Sequence, residues 1–281
     1  MTETSVDAHP ETQRIKAREL SIDTRVQRDH LDQAKLNKIR SGFREQSLQT
    51  LQVSQRKDGS KKILDGWHRW MVVCELMGED YELNCQVFTG LDLEQEAALF
   101  LEFNQQGAAD RLDKHKVRAT LKDPVALAIN EVCDKNGWTV GYAPGMIRAI
   151  AELEAIYYRG EAWIDGFGPT LLHNTLAVVT NAWGRDDPKV VGQSVLKAVA
   201  QFLLILDQHW VDRDAGKQID FDRMISALTK LKKGPSGWVE GCRGQAKALN
   251  KALQVAMLQS LYDLYNKEDR AGRLPQQFRA V

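Results

Sequence analysis

The stretch Lys61-Lys62-Ile63-Leu64-Asp65-Gly66-Trp67-His68-Arg69-Trp70 changes its period halfway along, and that change decides the fold. Ile63 and Leu64 are apolar and β-favouring and follow the turn-like Lys57-Asp58-Gly59-Ser60, so this half reads as a strand. Beyond Gly66, Trp70, Val73, Cys74 and Met77 recur at helical spacing until Gly78 stops them. A helix that starts directly after a strand presents unsatisfied N–H groups at the positive end of its dipole. Gly66 lacks a Cβ and lets the backbone approach a ligand, and His68 and Arg69 add donors and charge. Two readings fit these residues. One is an anion pocket suited to a nucleotide phosphate. The other is a plain βα connection whose arginine pairs with a surface carboxylate. Trp67 fits either a base-stacking ring or a packed aromatic at the helix start.

Working outward, Leu20 to Val26 reads as a first strand, and Arg25 and Arg28 after it are candidate anion ligands or solvated charges. Asp32 is placed to cap a helix carrying Leu36, Ile39 and Phe43 on one face. Leu48 to Gln55 alternates Leu51 and Val53 and forms a hairpin with Ile63-Leu64 across 57–60. Tyr81 to Phe88 alternates Leu83, Cys85 and Val87 as another strand, and Asp92 starts a helix with Leu93, Ala97, Phe100 and Leu101 inward. Residues 1–18 are polar and read as a flexible lead-in.

This order, β-α-β-β-α-β-α, resembles the N-terminal domain of ParB-type partition proteins and their sulfiredoxin-fold relatives. Gln27-Arg28 matches the family's Gln-x-Arg segment, and Gly66-Trp67-His68-Arg69 its Gly-x-Arg-Arg box, with His68 replacing the first arginine. Phe103-Asn104-Gln105-Gln106, then Arg111-Leu112-Asp113-Lys114, matches its Asn box, where Glu-Asn is usual. The Asp-Gly-x-His-Arg form is nearest the DGQHR branch, which includes DndB-like and phage or actinobacterial ParB-like proteins. The resemblance covers roughly residues 18–120. It implies a nucleotide, CTP or ATP, held with a magnesium ion, and a change on binding in how two protomers clamp DNA. Carried over, Gly66, His68 and Arg69 meet the phosphates, with Trp67 beside them. Asn104 approaches the phosphates or the metal, and Arg28 the nucleotide from the opposite side. Phe103 replaces the family's glutamate and removes a carboxylate that would help hold the metal; Glu102 or Asp65 would have to substitute. Sulfiredoxin chemistry is excluded, because Trp67 occupies the position of its catalytic cysteine. Nuclease activity is unsupported, since Asp65, Glu75 and Glu102 lack the spacing of a metal cluster. Slow NTP hydrolysis or phosphotransfer would draw on His68, Glu102 or Asp65. An interaction module with a vestigial pocket is the remaining alternative.

The chain's 281 residues and 43% apolar content suit one large or two ordinary domains with substantial cores. A formal net charge of zero argues against coating DNA by bulk electrostatics, so nucleic-acid contact needs local basic patches. No apolar run reaches membrane-spanning length, and Met1-Thr2-Glu3-Thr4 does not begin a signal peptide. Cys74, Cys85, Cys133 and Cys242 form no CxxC and read as reduced core thiols of a cytoplasmic protein, with no metal site. His115, His173 and His209 share no motif. From about Leu121 the pattern turns helical, with helices expected at 124–136, Pro144–Tyr158, Thr170–Trp183, Pro188–Trp210, Phe221–Lys232 and Gln245–Lys267. Residues 137–143 sit between two helices but make a long connection for a helix-turn-helix. The basic clusters are Lys114, Lys116 and Arg118, then Lys230, Lys232, Lys233, Arg243 and Lys247 around a Gly234-Pro235-Ser236-Gly237 loop. Each is a DNA-phosphate candidate or a solvated helix face. The expectation is an α+β protein. Residues 19–120 form a ParB/sulfiredoxin-like nucleotide-binding α/β domain, and 121–281 an all-helical domain for homodimerisation, DNA or partner contacts.

Overall fold

The computed structural model describes residues 10–104, 110–211, 219–231, 233–268 and 273–279. The chain is a mixed α/β protein that divides into two compact units, Met1–Ala126 and Leu127–Val281.

The first unit is built on a five-stranded sheet. Its strands are β1 (Glu11–Lys16), β2 (Leu20–Ser21), β3 (Leu51–Gln55), β4 (Lys61–Asp65) and β5 (Glu82–Thr89), in the order β1-β5-β3-β4-β2. The β3–β4 hairpin is antiparallel with Val53 opposite Ile63, while β3 runs parallel to β5 and β4 parallel to β2. Strand alternation divides the core between the two faces. Ile63, Val53, Cys85 and Val87 pack with Val73, Trp67 and Trp70 of α2 (Trp67–Met77). Leu64 and Phe88 turn the other way, against Ala97, Leu99 and Phe100 of α3 (Leu93–Phe103) and Val117 of α4 (Arg111–Thr120). α1 (Gln33–Ser41) lies against α2. Both expected caps form: Asp32 accepts from the N–H groups of Ala34 and Lys35, and Asp92 makes a reciprocal capping box with Gln95.

The N-terminal expectation needs correction. Residues 11–16 are not a flexible lead-in but an edge strand, paired antiparallel with β5 from Glu11–Val87 to Lys16–Glu82. Only Ile15 of this strand is fully buried, so its pairing depends on a partner some 70 residues away and leaves almost no local apolar signal. The strand expected at 20–26 shortens to Leu20–Ser21, because the chain then turns at Asp23, whose carbonyl accepts from the N–H groups of Val26 and Gln27.

The second unit is helical: α5 (Pro124–Lys135), α6 (Ile150–Trp163), α7 (Gly168–Trp183), α8 (Gln193–Val211), α9 (Phe221–Thr229), α10 (Gly234–Ala248) and α11 (Leu253–Glu268). α7 packs on α6, α8 and α9, and α11 on α8, α9 and α10. Three sequence readings change here: the start of α6, the loop at 234–237, and the single helix expected over Gln245–Lys267, which divides into α10 and α11. Pro144 does not open a helix. Residues 139–147 fold back instead through a Val140–Ile147 bridge that buries Ile147 completely, and α6 starts at Ile150. With residues 136–149 between α5 and α6, no helix-turn-helix forms. Gly234-Pro235-Ser236-Gly237 is not a loop but the first turn of α10, where Pro235 takes the position at which proline needs no N–H. The four cysteines are free. Burial pushes the Cys85 thiol up to about 11 and that of Cys133 up to about 12, which leaves both inert. Among the described residues no helix is long and apolar enough to cross a membrane.

One buried ionic cluster joins three segments of the first unit. Just past β3, Arg56 donates from Nε to Glu96 Oε1 of α3 at 2.8 Å. Its Nη2 lies 2.5 Å from Glu96 Oε2 and 2.8 Å from Asp23 Oδ2. Glu96 is only 1% exposed. Arg25, then Arg56, hold the Asp23 carboxyl well below the usual carboxylate range. Asp23 in turn shapes the turn that carries Gln27 and Arg28. Arg56→Ala leaves the Glu96 carboxylate buried without its cation and is expected to cost about 3–5 kcal/mol of stability in urea unfolding of the full chain. Arg56→Ala combined with Glu96→Gln should recover part of that loss.

Candidate functional site

The glycine between β4 and α2 has φ 103° and ψ 11°, a left-handed conformation that side-chain-bearing residues resist. A Cβ there would also stand 2.8 Å from Leu51 Cγ and 3.1 Å from Arg69 Nη2. Gly66 is therefore required twice, by conformation and by space. No side chain caps α2, so its first turn keeps N–H groups free of side-chain acceptors. That turn lines a cavity of about 450 Å³, together with residues 27–28, α1 and the turn after it, and the end of α3.

The structure brings together all six residues carried over from the resemblance: Arg28, Gly66, Trp67, His68, Arg69 and Asn104 all line the cavity. Asn104 is buried at the C-terminus of α3, where its Nδ2 donates to the Phe100 carbonyl at 2.8 Å. Its Oδ1 faces Arg28, whose Nη2 donates to it at 3.0 Å. Arg28 Nε lies 4.0 Å from the buried Asp113 carboxylate. The neighbouring Gln27 is buried and donates to the carbonyls of Ile63 and Leu64, both at 3.2 Å, which fastens this segment to β4. Arg69 donates to Asp65 Oδ2 at 2.7 Å and to Gln49 Oε1 at 3.2 Å. Both readings of Arg69 thus hold at once: it pairs with a carboxylate, and the pair lies in the cavity wall.

His68 departs from its expected role as a charged donor. It is 5% exposed, and its Nε2 accepts the backbone N–H of Asp32 at 3.0 Å. Burial, then the charges of Lys35 and Arg28, push its pKa down to about 4, so the ring is neutral at pH 7. His68 is a wall residue that locks the start of α1 against α2. Trp67 packs against the α2-side core as well as lining the cavity, and Phe103 packs on Phe88 with ring centroids 6.0 Å apart.

Lys35, Lys38 and Arg44 also line the cavity, and the sequence reading missed them. Lys35, Lys38 and Ile39 fall at i, i+3 and i+4 on α1, so that the two lysines flank a residue of its apolar face. Burial, then Arg28, lower the Lys35 pKa from its ordinary value, and Arg69 adds to the effect. Among the described residues the lining therefore holds five cationic side chains, Arg28, Lys35, Lys38, Arg44 and Arg69, against a single carboxylate, Asp65. In a chain of zero formal charge this is a strong local concentration, and the chemistry it suits is a polyanion.

Other expected residues lie elsewhere. Arg25 points to Asp23 and is not in the lining. Glu102 is exposed outside the cavity. Gln105 and Gln106 of the Asn box lie outside the described residues. Lys114, Lys116 and Arg118 are half-buried on α4, with Lys116 bonded to Asp29, and none of them lines the cavity. Lys233 and Arg243 are exposed at the start and middle of α10, and Lys232 lies outside the described residues. Among the described residues no group of three His, Cys, Asp or Glu side chains could hold a metal ion.

Fold and cavity together define a protein with a cation-lined cavity at a strand–glycine–helix turn of an α/β unit, followed by a helical unit. The chain belongs to the family of unknown function DUF6551, whose model matches residues 23–278. No curated protein matches it.

The unfolded chain protonates His68 near pH 6.5, whereas the folded chain resists protonation down to about pH 4. Stability should thus be flat above about pH 6.5 and fall as the pH drops toward 4, by a loss on the order of 3 kcal/mol. Urea unfolding at pH 7, 5.5 and 4.5 checks this, with His68→Asn expected to remove most of the slope.

Proposed function

We propose that this chain binds a nucleoside triphosphate, CTP or ATP, in the cavity at the start of α2, in the manner of ParB-like proteins. The observation that carries the reading is the convergence of five cations and an uncapped helix N-terminus on one space of about 450 Å³. That volume lies within the usual range of small-molecule sites. Gly66 and Arg69, which the resemblance assigns to phosphates, Asn104, assigned to the phosphates or the metal, and Arg28, assigned to the nucleotide from the opposite side, all face this space. Trp67, Phe43 and Phe103 supply apolar wall against which a base or ribose can pack.

Binding is favoured over turnover. Of the three candidate bases, Asp65 is bonded to Arg69, His68 Nε2 already accepts from Asp32, and Glu102 lies outside the lining. The single lining carboxylate, committed to Arg69, does not build a site for magnesium. A divalent ion would have to arrive on the phosphates themselves.

Titration of the full chain with CTP and with ATP, each with magnesium, tests the pocket. Wild type should bind at least one of them, and Arg69→Ala should weaken that binding about tenfold or more, the worth of a charge-assisted hydrogen bond. A wild-type protein that binds neither nucleotide ends the assignment.

The reading extends to a cytoplasmic, DNA-associated protein acting in partition, regulation or a phage or plasmid process, with the helical unit serving dimerisation and DNA contacts. Its support is the resemblance and the exposed Lys233, Arg243 and Lys247 along α10. If α10 meets phosphates, duplex DNA binding should weaken steeply between 50 and 200 mM salt, and Arg243→Ala should lower the salt slope by about 1. An unchanged slope removes α10 from the interface.

A further inference from the structure

Three of the cavity's cations come from α1 and the turn after it, an element that none of the resembling boxes includes. They belong to a different element from the Gly66–Arg69 turn. Asp65 and Asn104 each accept a hydrogen bond from one of the two arginines, Arg69 and Arg28. Lys35 shares the lining with these groups: burial, then Arg28 and Arg69, lower its pKa, Asp65 and Asp32 raise it, and it acts in turn on His68. Lys35, Arg28 and Arg69 thus bring three like charges to one lining. A ligand of low charge is met sufficiently by Arg69 and the α2 N-terminus, whereas a longer phosphate chain brings additional negative charge for α1 to neutralise.

We infer that Lys35, with Lys38 one turn further along α1, engages the distal phosphate of the ligand, so that the site selects nucleoside triphosphates over monophosphates. This rests on the nucleotide reading above and deepens it. It assigns phosphate counting to α1, while Gly66 and Arg69 grip the phosphate common to all these ligands. The lowered Lys35 pKa, set first by burial and then by Arg28, accords with this arrangement, because a desolvated ammonium beside another cation gains from an added anion. Lys38, more exposed on the same stripe, is the weaker of the two.

Calorimetric titration of the full chain with CTP, CDP and CMP, and with ATP, ADP and AMP, tests this against Lys35→Met and Lys35→Arg. Wild type should prefer triphosphate to monophosphate by about tenfold or more, the scale of one charge-assisted contact. Lys35→Met, which keeps the helix-favouring straight chain but not the charge, should narrow that ratio to about threefold or less. It should do so by weakening triphosphate binding while monophosphate affinity stays within about twofold, and Lys35→Arg should restore the preference. Its melting temperature should equal or exceed that of wild type, since a like charge has been removed from a cationic cluster; this melt also confirms folding. If Lys35→Met lowers all affinities equally, or leaves the ratio unchanged, the distal-phosphate role is overturned while the nucleotide site stands. If wild type binds no nucleotide at all, both fall.

Discussion

A single left-handed residue sets the geometry of the first unit. β4 must end and α2 begin across Gly66, close enough to β3 that even a methyl group would strike Leu51. Because the reversal takes one residue, Asp65 at the strand end and Arg69 in the first helical turn face each other and pair at 2.7 Å. The preceding residues, Ile63 and Leu64, send their side chains to opposite cores and their carbonyls to the amide of Gln27. Arg28 is thereby placed where it meets Asn104. The site is assembled by backbone placement first and by charge second.

The two ionic regions of this unit behave in opposite ways. At the far end of β3, Arg56, Glu96, Asp23 and Arg25 balance two cations against two anions, with short and nearly saturated contacts. Around the cavity the count is unbalanced, and the histidine among the cations is held neutral. Charge is balanced where only stability is at stake, whereas cations outnumber carboxylates among the described residues of the cavity lining. If the lining takes up an anion, as proposed, that anion would stabilise the folded chain by mass action.

Much of the first unit was legible from local patterns. The alternation in β3 and β5, the turn at 57–60, the period change at Gly66 and the caps at Asp32 and Asp92 all act within a few residues, and all appear as read. What escaped depended on distant partners. β1 has one buried apolar side chain and exists through its ladder to β5. Ile147 is drawn into a bridge by burial, which overrides the helix-starting tendency of Pro144. Gly234–Gly237 has loop composition, yet Pro235 opens α10, and the Lys233 side chain lies over the space beside Gly237. At the site, the glycine–arginine turn was legible because its chemistry is contiguous. Lys35 and Lys38 were not, since no rule of spacing separates a lysine facing solvent from one facing a cavity until the neighbouring element is placed. His68 showed the reverse problem. Its identity suggested a proton carrier, but the N–H it accepts comes from Asp32, 36 residues earlier.

The sheet's two borders also bear on how this chain behaves among its own copies. At one border β2 offers only two residues for pairing. At the other, β1 alternates charged and polar groups around a lone Ile15, and Arg14 is engaged with Glu82 of the neighbouring strand. Neither border is long, flat and greasy enough to template a foreign strand. Self-association by sheet extension is thus discouraged at both ends, and crowding at high expression need not lead to fibrous stacking.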